Sequence, residues 1–345
     1  MKIVIDKDVA FIEGVFEPYA EVVYVEGKEI CREDLLDAEA LIIRTRTRCD
    51  ETLLEGTAVK IIALAAISMH NIDLDYCSAH GIFVQNAAGC NAGGVMNYVF
   101  SALYGTAARK TISLSGATIG IFGAGNSGSR VAKMARYLGF KVMLYDPPRQ
   151  QAEASDLFCS EDEILAGADI ITMHLPINET TWNMCDEEFF GKMRPGAFFI
   201  NTAHGNLVDE QALLGAIPRL GPVIIDSWKN EPDINPELVD KAEIATPHIS
   251  GYSYQGKQTA TLTVVRSVAR YFSIRELYDF FPKGDVMELE AIRLDLKGKS
   301  QGEIASVLQY NYPIFTDDFM LRMDPSRFEY LRRSYRYRRE YYVDY

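Results

Sequence analysis

The stretch Thr118-Ile-Gly-Ile-Phe-Gly123-Ala-Gly125-Asn126-Ser127-Gly128, with Asp146 downstream, decides the fold of this chain. An apolar run leads into three glycines spaced G-x-G-x-x-G. A helical pattern (Val131, Met134, Ala135, Leu138) opens at once, and a second apolar run, Lys141 to Tyr145, ends in an acid. Gly123 permits a tight turn, and Gly125 lets the backbone approach a pyrophosphate. Gly128 lets the helix pack closely on the strand, and the helix N-terminus faces the phosphates. Asp146 stands where a carboxylate takes the ribose hydroxyls of an adenosine. Three glycines alone also make simple tight turns. Set in strand, turn, helix, strand and acid they predict a dinucleotide site. Asp146 would repel a 2′-phosphate, so NAD is expected over NADP.

On both sides of this loop apolar strands alternate with helical stretches, the mark of parallel βαβ units. From Lys2 to about Ala87 the strands are Ile3–Ile5, Val22–Val25, Leu41–Ile43, Ile61–Leu64 and Ile82–Val84. In the middle region they are Ile119–Phe122, Val142–Tyr145, Ile170–Met173, Phe198–Asn201, Val223–Asp226 and Ile244–Thr246. Helices over 93–107 and 255–272 would connect the two regions. The expected fold class is α/β. A doubly wound parallel-sheet dinucleotide-binding domain spans 93–272, and a smaller flavodoxin-like α/β substrate domain spans 1–92 and 273–287. Beyond the Phe281-Pro-Lys-Gly junction, an α+β unit of different composition spans 288–345.

A chain of 345 residues is long for one core, which fits several domains. The formal net charge of −13 argues against general affinity for nucleic acid. Cys31, Cys49, Cys77, Cys90, Cys159 and Cys185 are scattered, with no C-x-x-C pair. That pattern reads as reduced thiols and not as a disulfide frame or a zinc site, and no metal is expected. The start, Met1-Lys-Ile-Val-Ile-Asp, enters a strand at once and lacks an apolar signal segment, so a cytoplasmic protein is expected. No apolar run approaches the length of a bilayer crossing.

The last segment is different in kind. From Ser326 to Tyr345 arginines and tyrosines interleave, with Arg332-Arg333 and Arg338-Arg339 in pairs. Such a pattern can bind nucleic acid by phosphate contacts and stacking. The acidic balance of the chain and the lack of any RNA-binding motif favour an amphipathic segment that docks on the acidic body or on a second copy of it.

Chemistry in such folds sits at the C-terminal ends of the strands, in the crevice between the two α/β domains. Three polar groups follow successive strands: His204 in Ile200-Asn-Thr-Ala-His-Gly205, Glu231 in Asp226-Ser-Trp-Lys-Asn-Glu-Pro232, and His248 in Thr246-Pro-His-Ile-Ser-Gly251-Tyr252. A carboxylate beside an imidazole orients it and raises its pKa, which makes a general acid/base near neutrality. Each histidine alone would more often be a hydrogen-bonded structural residue. Three such groups downstream of a dinucleotide loop predict a site. The run Arg44-Thr45-Arg46-Thr-Arg48 would suit a phosphate, since arginine forks bind it bidentately; otherwise it is an ordinary exposed strand end.

At these residues the chain resembles the D-2-hydroxyacid dehydrogenase family. The family pattern is carried by the glycine loop, Asp146, His174-Leu175-Pro176, Glu231-Pro232 and Pro247-His248 before Gly251. A narrower branch is matched by Gly89-Cys-Asn-Ala92, Tyr98-Val-Phe-Ser-Ala-Leu103, Asp146-Pro-Pro-Arg149, Asp226-Ser-Trp and Gly251-Tyr252. It is matched also by the tail, from Tyr312-Pro-Ile-Phe-Thr-Asp-Asp318 through Phe328-x-x-Leu-Arg-Arg333 to Arg338-Arg-Glu340. The resemblance spans nearly the whole chain and implies NAD as cofactor and a small 2-hydroxy acid as substrate. The narrower match implies 4-phospho-D-erythronate oxidation in pyridoxal phosphate biosynthesis, and a homodimer formed through the tail. By the same resemblance His248 is the proton acceptor and Glu231 its partner. Gly123, Gly125, Asn126, Ser127, Gly128, Asp146, Leu175, Thr202, Ala203, Asp226 and Gly251 match cofactor contacts. Arg44, Thr45, Ala66 and Tyr252 stand on the substrate side.

The chain departs from the family pattern at three places. His204 stands where an arginine holds the substrate carboxylate, and an imidazole offers at most two donors in different directions. Ser68-Met69 replaces a Gly-Thr pair, and Asn97 replaces a glutamate. All three fall on the substrate side, so weakened turnover is expected. The alternatives are an NAD-binding relative with a regulatory or scaffolding role, and a dehydrogenase of another 2-hydroxy acid such as 3-phosphoglycerate.

Overall fold

The structure is a computed structural model that describes residues 1–155, 157–282 and 291–345. The expected boundary between 287 and 288, and most of the junction after Phe281, lie outside the described residues. Two compact units result. One joins Met1–Asn91 to the segment beginning at Tyr254, and the other joins Ala92–Ser253 to Ala291–Tyr345.

In the first unit five strands, β1 (Lys2–Asp6), β2 (Glu21–Val25), β3 (Ala40–Ile43), β4 (Ile61–Leu64) and β5 (Phe83–Asn86), pair in the order β2-β1-β3-β4-β5. Every pairing is parallel. This is the 2-1-3-4-5 order of flavodoxin-like sheets. A parallel sheet must be covered on both faces, and the strand sequences show how. Alternate residues Ile3, Ile5, Ile42, Ile61 and Ala63 pack with Ala260, Val264, Val265 and Val268. Their neighbours Val4, Leu41, Ile43, Ile62 and Leu64 pack on the opposite side with Leu35, Leu53, Leu54 and Cys77. The helix Tyr254–Tyr271, grouped with the dinucleotide domain in the sequence analysis, therefore lies in the first unit. It supplies the apolar cover that one face of that sheet needs.

The second unit holds six parallel strands, β6 (Thr118–Phe122), β7 (Lys141–Tyr145), β8 (Ile170–Met173), β9 (Phe198–Asn201), β10 (Val223–Ile225) and β11 (Ile244–Ala245), in the order β11-β10-β9-β8-β6-β7. Strand β6 has β7 on one side and β8 on the other, so the strand order reverses at its end, where the glycine loop stands. Ligands bind at such a switch point. The helices Ala92–Arg109 and Asn126–Tyr137 cover one face.

Residues 291–345 do not build a core of their own. Leu308, Tyr312, Ile314 and Tyr341 pack with Tyr98, Leu103, Ile119 and Ile244 on one face, while Leu321 and Phe328 join the opposite core with Phe189 and Phe199. Two short strands, β12 (Ile292–Leu294) and β13 (Tyr341–Val343), pair in parallel. Asn97 explains its own departure from the family pattern. Its Oδ1 accepts from Tyr341 N at 2.9 Å and its Nδ2 donates to Tyr341 O at 2.8 Å. A glutamate there has no donor for that carbonyl. Each fully buried side chain contributes about 1.5–3 kcal/mol, so the tail is part of the fold of this unit.

Candidate active site

The glycine loop follows from crowding. Gly123 has φ +90°, and a Cβ on it would lie 2.7 Å from His174 O. A Cβ on Gly128 would lie 1.9 Å from Gly123 O, which closes the helix onto the strand. Gly125, the residue before the helix Asn126–Tyr137, has nothing within 4 Å of a Cβ position. The two outer glycines are forced by packing, and the middle one leaves the open cradle that a pyrophosphate needs. Asn126 and Ser127 form the first turn of that helix, where backbone N–H groups await an acceptor.

Asp146 Oδ2 accepts from Ala124 N at 2.8 Å and Oδ1 from Arg149 N at 3.1 Å. This ties the end of β7 to the glycine loop. Arg149, the one cation near enough in sequence to favour a 2′-phosphate, donates to Ala124 O at 2.5 Å and pairs with Glu153 at 2.6 Å. These residues fit NAD. Beneath the loop, His174 is buried, bonded to Thr172 Oγ1 at 3.0 Å and pushed down to about 3 by burial, so it stays neutral. Leu175 packs against the core beside it.

After β9, Asn201 Nδ2 donates to His204 O at 3.1 Å and to Ser227 O at 3.3 Å, joining the β9 loop to the β10 loop. Asn201 Oδ1 accepts from Ala203 N at 3.1 Å, and Thr202 Oγ1 donates to Met173 O at 3.5 Å. A Cβ on Gly205 would lie 1.9 Å from the Trp228 carbonyl, so the two loops touch through a residue that must be glycine. His204 Nδ1 accepts from Asn206 N at 3.2 Å, which leaves Nε2 as the ring's donor.

After β10, Asp226 is fully buried. Its carboxylate accepts from Thr246 Oγ1 at 2.6 Å, Ile249 N at 2.8 Å and Ser250 N at 2.8 Å. Asp226, expected at the cofactor, thus organises the loop that carries His248. That residue has φ +55°, in the left-handed region that a residue with a Cβ enters only at a cost. The opposite side of the loop is held from the tail. Arg338 donates to Ile249 O at 2.9 Å, to Gly94 O at 3.1 Å and to Ser250 O, with its guanidinium 4.2 Å from the Tyr312 ring centre. Asp226 takes the N–H groups of residues 249 and 250, and Arg338 takes their carbonyls.

His248 Nδ1 lies 2.8 Å from both Glu231 oxygens. Glu231 Oε1 also accepts from Trp228 N at 2.9 Å, and Oε2 lies 3.4 Å from Arg332 Nη1. Burial pushes the Glu231 carboxyl upward. His248, Arg332 and the Trp228 N–H outweigh it and hold Glu231 below the ordinary value. Nδ1–H therefore donates to a carboxylate, and Nε2 is the nitrogen left to take a proton.

Tyr252 stands beside this pair, its ring centre 6.2 Å from those of Tyr335 and Tyr337; Gly251 precedes it. Arg44, Thr45 and Ala66 belong to the first unit. Arg44 Nη1 donates to Asp8 O at 3.3 Å, Arg46 Nη1 lies 3.6 Å from Asp8 Oδ2, and Arg48 pairs with Asp50 at 2.8 Å. Thr45, Arg46, Arg48, His70 and Asn71 line a cavity of about 360 Å³. Ala66 O accepts from Ala87 N at 3.0 Å. The structure brings His248 and Glu231 together as expected. It adds Trp228, Arg332 and Arg338, which the sequence analysis quotes as motif positions without a role at the site. The paired arginines were visible as a signal, but their acceptors were not.

Residues 98–250 match the family profile described as D-isomer specific 2-hydroxyacid dehydrogenase, NAD binding domain. The chain is 41% identical to an erythronate-4-phosphate dehydrogenase of Bacteroides fragilis over 99% of this chain and 97% of that protein. It is 36% identical to one of Hydrogenovibrio crunogenus over 98% of this chain and 92% of that protein. Among solved structures, an NAD⁺-bound 3-phosphoglycerate dehydrogenase of Entamoeba histolytica is similar, with TM-score 0.67 and 25% identity over 82% of this chain and 99% of that one. With the glycine cradle, Asp146 and the His248–Glu231 pair all in place, this chain belongs to the D-isomer specific 2-hydroxyacid dehydrogenase family and binds NAD.

Proposed function

We propose that the protein oxidises 4-phospho-D-erythronate at its 2-hydroxyl. The observation that carries this reading is the His248–Glu231 pair, at 2.8 Å, at the strand ends of a dinucleotide-binding sheet. The likeness over nearly the full length to erythronate-4-phosphate dehydrogenases supports the substrate. NAD, held by the glycine loop and Asp146, would supply the hydride acceptor for C2. The residues of the chain handle the proton. His248 Nε2 takes it from the hydroxyl, and Glu231 holds the ring and stabilises the imidazolium. By the family resemblance Thr45, Ala66 and Tyr252 are assigned to substrate binding, and the arginine run that begins at Arg44 is suited to a phosphate.

His204 bears on the rate. An arginine offers a permanent charge and a two-pronged grip on a carboxylate, and losing a charge-assisted bond costs about 1.5–3 kcal/mol. That is roughly a tenfold to hundredfold loss. His204→Arg should therefore raise kcat/KM by about that factor with whichever 2-hydroxy acid binds. A panel of 2-hydroxy acids and their phosphates, including 3-phosphoglycerate, followed by absorbance of reduced nicotinamide, tests substrate and effect together. Brisk turnover of 4-phosphoerythronate that His204→Arg slows would make His204 an adapted catalytic residue. No turnover in the panel by either protein would favour an NAD-binding regulatory or scaffolding relative, the reading that His204 supports.

We also infer a cytoplasmic homodimer. All six cysteines are free, as a reducing compartment keeps them. Phe319, Met320 and Met323 are exposed on the helix Ile314–Met323, with Tyr310 and Tyr330 also exposed in the tail. An apolar surface of this kind is suited to a second copy of the chain. Deleting the tail would open the core of its own unit, so charge is the cleaner probe. Phe319→Glu combined with Met323→Glu should convert dimer to monomer in light scattering with the melting temperature little changed. A variant that stays dimeric would overturn this assignment of the interface.

A further inference from the structure

We propose that Arg332 is a positioning residue of the catalytic couple, a second cation on Glu231 that sets how readily His248 Nε2 takes a proton. The inference rests on the dehydrogenase reading above.

Arg332 lies on the short helix Phe328–Arg333, whose first residue, Phe328, is buried in the sheet core. Residues four apart on a helix share a face. The anchor at Phe328 therefore aims Arg332 inward. Its Nη1 meets Glu231 Oε2 at 3.4 Å, across 101 positions of sequence. Arg332 Nε is buried with no hydrogen-bond partner. With that donor unmet, the polar contacts of the guanidinium are directed at the carboxylate of the Glu231–His248 pair and at Tyr252.

The charged and titratable groups around the couple set the sign. Glu231 faces His248 from the loop after β11 and Arg332 from the tail helix, and it accepts the Trp228 N–H. Arg332 faces Tyr252, to which it is hydrogen-bonded, as well as Glu231, with Glu329 acting on it from its own helix. Imidazolium and guanidinium compete for one carboxylate and repel each other. Arg332 therefore lowers the affinity of His248 for a proton. A histidine that must act as a base near neutrality gains from that, because Glu231 alone would favour the protonated ring.

The test is a titration of the substrate-free protein by NMR with labelled histidine. The His248 signal is assigned by its loss in His248→Gln. In Arg332→Gln the His248 titration should move up by about 0.5–1 pH unit, and the acidic limb of the pH profile of kcat/KM should move with it. Arg332→Lys should restore both. Arg293→Gln, which removes an exposed arginine paired with Asp344, should change neither. Should Arg332→Gln fail to fold, Arg332→Met keeps the apolar stem and gives the same measurement. An unmoved His248 titration in the variant that folds, or a lysine variant that titrates like glutamine, overturns the proposal. The titration needs no substrate. Failure of the dehydrogenase reading shows instead as absence of reduced nicotinamide across the substrate panel.

Discussion

Replacing His248 by glutamine is expected to lower kcat/KM by about 10²–10⁴-fold while NAD binding is kept. General acid/base catalysis by one positioned group contributes a factor of that order. Glutamine matches the size of the ring but cannot take up the hydroxyl proton. Its amide can still donate to Glu231, so the loop should hold, because Asp226 and Arg338 bond the backbone of residues 249 and 250 and not the ring. Nicotinamide absorbance gives the rate, and calorimetric titration with NAD gives the binding. A glutamine variant with more than a tenth of the native rate would remove His248 from the proton transfer.

Asp226→Ala is the second large effect, and it acts through structure. Three buried donors, Thr246 Oγ1, Ile249 N and Ser250 N, lose their acceptor at once. Thr246 can turn its hydroxyl to Tyr98 Oη at 2.7 Å, which leaves two N–H groups as buried orphans; each costs about 1–3 kcal/mol, so a loss of ~3 kcal/mol is expected. In a unit of this size that is a drop in melting temperature of roughly 6–12 °C. Activity should fall as well, because His248 sits in a backbone conformation that the loop must enforce. Asp226→Asn keeps acceptor capacity on one side and brings an NH₂ against an N–H on the other, so its losses should be intermediate. Calorimetric melting with hydrogen exchange at residues 249 and 250 measures both. An alanine variant that melts within about 2 °C of the native protein would show that the loop holds without the carboxylate.

Much of the catalytic unit was legible because its signals are local. The spacing of Gly123, Gly125 and Gly128 is a short local pattern: a Cβ on Gly128 would lie 1.9 Å from Gly123 O in the same turn, although the crowding at Gly123 comes from His174 after a neighbouring strand. The strands were readable because buried parallel strands are short apolar runs. The pairing of Glu231 with His248 could be expected because both follow neighbouring strands of one sheet.

Segments that cover surfaces far away in sequence were not readable in this way. An amphipathic helix such as Tyr254–Tyr271 carries an apolar face but no mark of which sheet it will cover. The tail looked like a docking piece because its arginines and tyrosines stand out in composition. Their targets are an amide on Asn97, two carbonyls at residues 249 and 250, and the Glu231 carboxylate. Asp226 reads in the sequence as a cofactor contact, and its bonds to Thr246, Ile249 and Ser250 had no signal there. By itself the sequence determined the α/β class and the dinucleotide loop, and it placed Glu231 and His248 after neighbouring strands, because periodicity and glycine spacing are properties of neighbouring residues. The tertiary structure alone decided which sheet each helix covers, and that the tail completes the unit holding the pair. A buried donor or charge is satisfied by whichever acceptor the packed chain places beside it, and that partner can lie a hundred residues away.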